Sequence, residues 1–257
     1  LWSRGLGDVY KRQTYPCPGS PARRAETLSP LIRTAIILGV LVSLIDPAQA
    51  EDAPNPTSIQ IIKNKWETTF YATPEDQQLA LLKPLSLQAE SLIQQFPQRA
   101  EPLIVAALIQ CSLAANEGGF SALGHVKKAR SFVEKALAID PLAMDGSAYV
   151  ILGNLYYRLP GWPISFGDNE IAKSYLETAV RLFPNGLDSN YFYGDFLLDE
   201  GEPGEALPFL ERADLAPIRP DSSLSDLKLK EELKVSLTNA RGGKGVAQGF
   251  YNQFLTS

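Results

Sequence analysis

Apolar residues recur three and four positions apart through the second half of this chain, and this spacing predicts amphipathic helices. Two segments share one order of small and large residues: Gly153, Ala172, Leu176, Ala179 and Pro184 in the first, and Gly194, Ala206, Leu210, Ala213 and Pro217 in the second. A glycine at a helix crossing allows the second helix to approach closely, and each proline ends its unit because proline cannot continue a helix. The pattern therefore predicts two consecutive helix pairs.

The first of these pairs has a longer connection than the second. Gly153 and Ala172 are 19 positions apart, whereas Gly194 and Ala206 are 12 apart, so the first unit contains seven additional residues, which fall in the GWPISFGD loop. Its large apolar side chains are Trp162, Ile164 and Phe166, which would be unfavourable in water. The more economical interpretation is that they pack over the seam between units, against Tyr157, Tyr191 or Phe192. The alternative is that they line a pocket. Asp168 and Asp188 are predicted to be N-caps of the helices that follow them.

The same periodicity extends to the rest of the chain and predicts an all-α fold, a tetratricopeptide-like helical-hairpin solenoid with C-terminal capping helices. A tether and a helix are predicted at residues 51–72, and a helical-repeat domain at 73–257. The repeat units are expected at about 101–141, 146–184 and 187–217, and the capping helices at 223–257. The first unit is also expected to have an enlarged turn, at 116–124.

The first fifty residues have a different character. Residues 1–13 resemble the translation of a sequencing adaptor. Residues 14–50 contain Arg23, Arg24 and Arg33, an apolar run at 34–45, and a small-residue site at 48–50, which together predict a signal peptide cleaved after Ala50 and a periplasmic location. Contact with a membrane is expected only if this segment is an uncleaved anchor, which is the alternative interpretation.

Composition argues against several classes of function. The net charge is −5, and without the first 50 residues 18 basic and 26 acidic residues give −8, with no basic stripe that would favour nucleic acid. The chain has a single histidine, His125, and Cys111 is the one cysteine after residue 50, so no metal site, cofactor or disulfide is predicted. No P-loop or nucleophile elbow is present, and the chain is expected not to be an enzyme. The enzymatic alternative would use Asp195 with Asp199 or Glu200.

The block LGNLYYRLPGWPISFGD followed by NEIAKSYLETAVRLFPNGLDSNYFYGDFLLDEG resembles exported tetratricopeptide proteins related to the T component of TRAP-type transporters. The resemblance covers residues 147–211 densely and thins before residue 101. It implies a helical periplasmic protein that associates with a substrate-binding component and offers an apolar passage or cleft. Members of the best-known type are lipoproteins, and this chain has no visible lipobox.

The leading hypothesis is a non-enzymatic repeat protein that binds a protein partner, such as a periplasmic solute-binding protein, and oligomers are also compatible with it. The candidate binding residues lie around the aromatic loop and on the helices beside it: Asn154, Tyr157, Arg158, Trp162, Phe166, Tyr191, Tyr193 and Asp195. Besides the enzymatic alternative, two others stay open. One is a small-ligand-binding protein with an aromatic pocket, and the other is an adaptor that binds through an acidic concave surface.

Overall fold

The structure is a computed structural model that describes residues 56–243, with side chains from residue 58 onward. This part of the chain is helical throughout and contains no strand. The helices are α1 (Pro56–Glu67), α2 (Glu75–Gln95), α3 (Glu101–Glu117), α4 (Gly119–Ile139), α5 (Ala143–Arg158), α6 (Asn169–Leu182), α7 (Leu187–Asp199), α8 (Pro203–Leu215) and α9 (Ser223–Arg241). A π-helical turn (Thr68–Ala72) follows α1, and a 3₁₀ turn (Pro220–Ser222) precedes α9.

Adjacent helices pack in pairs, α3 with α4, α5 with α6, and α7 with α8, as the repeated pattern predicts. The first helices of the pairs also contact one another in order, α3 with α5, α5 with α7, and α7 with α9. Consecutive pairs therefore lie side by side around a continuous apolar core.

The two glycines allow the close approach that the sequence predicts. A Cβ on Gly153 would lie 2.6 Å from Leu176 Cγ, and a Cβ on Gly194 would lie 2.7 Å from Leu210 Cδ2. Such distances are too short for any real Cβ, so a larger residue at either crossing would force the facing leucine or the helix to move. The two pairs thus pack with the same local geometry.

The enlarged turn expected at 116–124 is wrong. Helix α4 already begins at Gly119, and Gly118 alone separates it from α3. Both glycines have positive φ, 64° and 55°, which lets the chain reverse within so few residues. Among the three pairs, the long connection is therefore found in the α5–α6 pair.

Helix α1 brings the beginning of the described chain into contact with its end. Ile59, Ile62 and Trp66 are buried against α2 and α3, as their spacing predicts. On the same helix, Lys63 Nζ donates to Asp221 O at 2.7 Å and to Ser222 Oγ at 2.7 Å, and it forms an ion pair with Glu67 at 2.6 Å. The last element before α9 is thus held by the first helix.

Several expectations lie outside the described residues: the adaptor-like segment 1–13, the signal peptide 14–50 with its cleavage after Ala50, and the part of the capping region beyond residue 243. Helix α9 lies at the beginning of the region 223–257 and packs against α7 and α8. Across residues 56–243, none of the helices combines the length and the apolar character needed to cross a bilayer.

Candidate functional site

The aromatic loop, residues 159–168, is fixed at its base. Gly167 N donates to Pro160 O at 3.0 Å, and Asp168 N donates to Tyr156 O at 2.8 Å, which joins the two ends of the loop to each other and to α5. Asp168 then caps α6, since its Oδ1 accepts from Ile171 N at 3.0 Å. The predicted capping role of Asp168 is confirmed.

Phe166 anchors the loop from inside. Its ring packs edge-on against Tyr156 at 5.3 Å between centroids, and the guanidinium of Arg130 on α4 lies 4.8 Å from the Phe166 ring centroid. The contact with Arg130 adds a cation–π attraction to the apolar packing. Phe166 therefore folds back as expected, although on Tyr156 and not on the aromatic residues predicted for it.

The apex of the loop projects into solvent. Trp162 is 91% exposed and Ile164 is 64% exposed. The expectation that these two side chains cover the seam between units is wrong. Both ends of the loop are hydrogen-bonded to α5, and Phe166 fills the space beside Tyr156. The residues at the apex, Trp162 and Ile164, are therefore directed outward.

Arg158 lies at the centre of a charged cluster that joins α5 to α7. Its guanidinium lies 4.1 Å from the Tyr157 ring centroid, donates to Asp199 Oδ2 at 3.0 Å, and forms a short ion pair with Asp195. The Tyr157 hydroxyl also donates to Asp199. Asp195 is 1% exposed, and burial outweighs the attraction of Arg158 and raises the pKa of Asp195 to about 6. Three of the predicted site residues thus meet in one place, where they hold two helix pairs together.

Tyr191 and Tyr193 lie in the interior. Tyr191 is fully buried, and its hydroxyl donates to Glu232 on α9 at 3.1 Å. The Tyr193 hydroxyl donates to Glu177 on α6 at 2.9 Å. Burial raises the pKa of both phenols. Tyr191, one of the candidate binding residues, therefore offers no surface to a partner.

A cavity of about 320 Å³ that the sequence did not indicate lies among α1, α3, α5, α7 and the segment leading into α9. Part of its wall is apolar: Ile59, Trp66, Leu108, Met144, Val150, Ile151 and Phe192. Asn154 also faces this cavity, and its Nδ2 donates to Val150 O at 2.9 Å. Asn154 is thus the predicted site residue that the structure places at a cavity of useful size.

Arg219 dominates the polar part of this cavity. It forms ion pairs with Asp188 at 2.9 Å, with Asp226 at 2.6 Å, and with Asp145 at 3.4 Å. The N-cap position of α7 is Gly186, so the predicted capping role of Asp188 is wrong. Burial raises the pKa of Asp188, and the neighbouring carboxylates act in the same direction against the attraction of Arg219. The sequence signal for this cavity is the position of its charged residues: Asp145 and Asp188 lie in the first turns of α5 and α7, and Arg219 shortly precedes α9.

A second, apolar cavity of about 90 Å³ lies beside the first. Cys111, Ala122 and Leu159 line it, and Ile151 and Asn154 line both cavities. Burial raises the pKa of the Cys111 thiol to about 12. A protonated thiol in an apolar wall is a packing group.

Candidate catalytic and metal-binding groups are bonded to their neighbours. His125 lies on α4, where Nδ1 is 2.6 Å from Gln110 Oε1 and Nε2 is 3.2 Å from Glu117 Oε2. Within residues 56–243, no group of histidine, cysteine, aspartate and glutamate side chains could hold a metal ion. Asp195 and Asp199 both bond to Arg158 and line neither of the two cavities described above.

These features define an all-helical protein of packed helix pairs with an inserted, outward-directed aromatic loop and a partly open cavity among its helices. No protein-family model matches the chain, and no curated protein is significantly similar to it in sequence.

Proposed function

We propose that this chain is a non-enzymatic helical-repeat scaffold that docks a protein partner through the apex of its aromatic loop. The observation that carries the proposal is the exposure of Trp162 on a loop whose base is fixed. Tryptophan contributes more than its share of the binding energy of protein interfaces when it enters a partner's pocket.

The loop is built in a way that suits docking. Phe166 and the hydrogen bonds at residues 160, 167 and 168 hold the apex in one arrangement before any partner arrives. Binding then requires little ordering of the loop, which favours affinity because less conformational entropy is lost. A loop whose role was only to cover the seam would bury Trp162 and Ile164.

The resemblance to the T component of TRAP-type transporters suggests the identity of the partner, a periplasmic solute-binding protein. The matched crossings at Gly153 and Gly194 support a tetratricopeptide-like solenoid, because repeated units predict equal packing at equivalent positions. On this proposal the chain is exported and acts as an accessory component of transport.

Replacing Trp162 with alanine tests the proposal. The partner would be a purified periplasmic solute-binding protein from the same organism, and the measurement would be its dissociation constant together with the circular dichroism of the variant. We expect Trp162→Ala to fold as the wild type does and to bind at least about tenfold more weakly. Leu215→Ala is the matched control, since Leu215 on α8 is also exposed, at 84%. This variant should bind the partner as the wild type does. Normal binding by a folded Trp162→Ala variant would refute the proposal.

The cavity of about 320 Å³ favours a second candidate function, the binding of a small ligand. Its volume is within the range of small-molecule pockets, and its wall combines apolar side chains with a few polar groups. Native mass spectrometry of the wild type and of Val150→Phe, which narrows the cavity, would test it. A small molecule retained by the wild type and lost from the variant would support this function, and its absence from both would contradict it.

A further inference from the structure

The connections within the three helix pairs lie at the same end of the molecule. Helices α3, α5 and α7 contact one another in order, and each is followed by the partner helix that returns along it. Ala122 on α4 and Leu159 at the start of the aromatic loop line one small cavity, which places these two connections side by side. Asn169 Nδ2 donates to Glu200 Oε1 at 2.7 Å, which joins the aromatic loop to the connection between α7 and α8.

Three large apolar side chains project from this end. Phe120, in the first turn of α4, is 94% exposed, and Trp162 and Ile164 project from the aromatic loop. We call these three residues the tip surface. Exposed aromatic and aliphatic side chains that share one end of a protein are typical of a surface that meets a partner.

The three connections at this end carry charges of one sign, and Arg130, which lies beside the loop on α4, is paired with Glu134 and packed on the Phe166 ring. The segments 117–126, 159–172 and 199–211 contain acidic residues and neither lysine nor arginine. Glu117 is bonded to Lys83 and His125, Asp199 to Arg158, and Glu211 to Arg241, so these three are already compensated. The acidic residues exposed beyond them are Asp168, Glu170, Glu200, Glu202 and Glu205.

We propose that the tip surface docks a protein segment in which apolar side chains are flanked by lysine or arginine residues, an inference that rests on the proposed docking function. The apolar residues would enter the contact with Phe120, Trp162 and Ile164, and the flanking cations would face the surrounding carboxylates. Such charge complementarity increases the association rate and selects among partners. The acidic surroundings disfavour an anionic membrane surface or a nucleic acid, because both would be repelled.

Trp162 itself provides the probe for a test on the full chain. Three synthetic peptides would share one apolar core without tryptophan or tyrosine and would be flanked by lysines, by serines or by glutamates. Binding would be followed by the fluorescence emission and acrylamide quenching of Trp162. The Trp162→Phe variant supplies the background from Trp2 and Trp66.

We expect the lysine-flanked peptide to shift the Trp162 emission to shorter wavelength, to protect it from quenching, and to bind at least about tenfold more tightly than the glutamate-flanked peptide. Glu200→Gln and Glu202→Gln should each weaken this binding by about threefold, and added salt should weaken it further. Glu231→Gln, on α9, is the matched control and should leave binding unchanged.

Equal and salt-independent affinity for the serine-flanked and lysine-flanked peptides would overturn the charge requirement while leaving the docking function in place. A response of Trp162 to vesicles containing phosphatidylserine, with none to the peptides, would show a lipid-facing surface and overturn the inference. A lack of response to every peptide would also overturn it. The docking function itself is tested separately, by whether the Trp162→Ala variant still binds the purified partner.

Discussion

The equivalence of the two helix crossings can be tested by adding one methyl group to each. An alanine Cβ at position 153 would lie 2.6 Å from Leu176 Cγ, and Leu176 is fully buried, so either the leucine side chain or the helix must move. Overpacking of this kind costs about 1 to 3 kcal/mol, whereas replacing glycine within a helix recovers about 0.5 to 1 kcal/mol. The two effects together predict that Gly153→Ala lowers the free energy of unfolding by about 1 kcal/mol, within a range of about 0 to 2.5 kcal/mol.

The equivalent substitution in the next pair should cost a similar amount. A Cβ on Gly194 would lie 2.7 Å from Leu210 Cδ2, and Leu210 is equally buried. Gly124 is the matched control, because it lies within α4 and has no heavy atom within 4 Å of the position of an added Cβ. Gly124→Ala should gain about 0.5 to 1 kcal/mol from helix propensity.

Urea denaturation followed by circular dichroism would measure the three variants, and a double-mutant cycle would locate the effect. Leu176→Ala alone should cost about 2 to 5 kcal/mol. Combined with Gly153→Ala, it should cost less than the sum, because the added methyl group fills part of the space that the leucine leaves. Equal stability of Gly153→Ala and the control Gly124→Ala, or strictly additive costs in the cycle, would refute the close contact on which the repeat interpretation depends.

Three further predictions concern buried polar groups. Burial raises the pKa of Asp195 in the folded state to about 6, above its unfolded value, so the folded state binds this proton more tightly. Relative to Asp195→Asn, the free energy of unfolding of the wild type should therefore rise by about 2 to 3 kcal/mol as pH falls from 7 to 4, measured by urea titration. A fall in this difference on acidification would contradict the raised pKa. Lys63→Met should lower the free energy of unfolding by about 3 kcal/mol, because it leaves Glu67 buried without its cation. The control Lys65→Met, at an exposed position, should change the free energy of unfolding by no more than about 0.5 kcal/mol. Equal effects of the two substitutions would refute the role of Lys63. In a chain beginning at Glu51, Cys111 should react with a disulfide reagent at pH 8 at least about a hundredfold more slowly than in urea, because burial keeps its thiol protonated, and equal rates would refute this.

The fold could be predicted in outline from sequence because its signals are local. The Ala-x3-Leu-x2-Ala runs and the glycines report how one helix meets the next, and this information lies within about thirty residues. The turn between α3 and α4 was missed because residues 119–124 look like loop composition, yet they extend α4 once Gly118 and Gly119 reverse the chain. Gly118 ends α3 and Gly119 begins α4, so two adjacent glycines serve both helices.

The candidate site was predictable only where a residue's partner is close in sequence. Asp168 caps α6 by accepting from Ile171 N, three residues later, and the sequence predicts this role. Asp188 has the same composition around it, but its partner is Arg219, 31 positions later, and no local pattern reports such a pair. The exposure of Trp162 was also missed, because hydrophobicity predicts that a side chain gains from burial and gives no information on whether the backbone lets it reach a buried place.

The contact between α1 and the segment entering α9 has a consequence for how this chain can change during evolution. An open row of helix pairs can lengthen by duplication of a unit, since each unit needs only its neighbours. Here Lys63 meets Asp221 and Ser222, which are about 158 positions away, and an additional pair would separate them. The number of helix pairs is therefore fixed by the distance between the two ends, and insertions are tolerated where they extend outward from a connection, as the aromatic loop does.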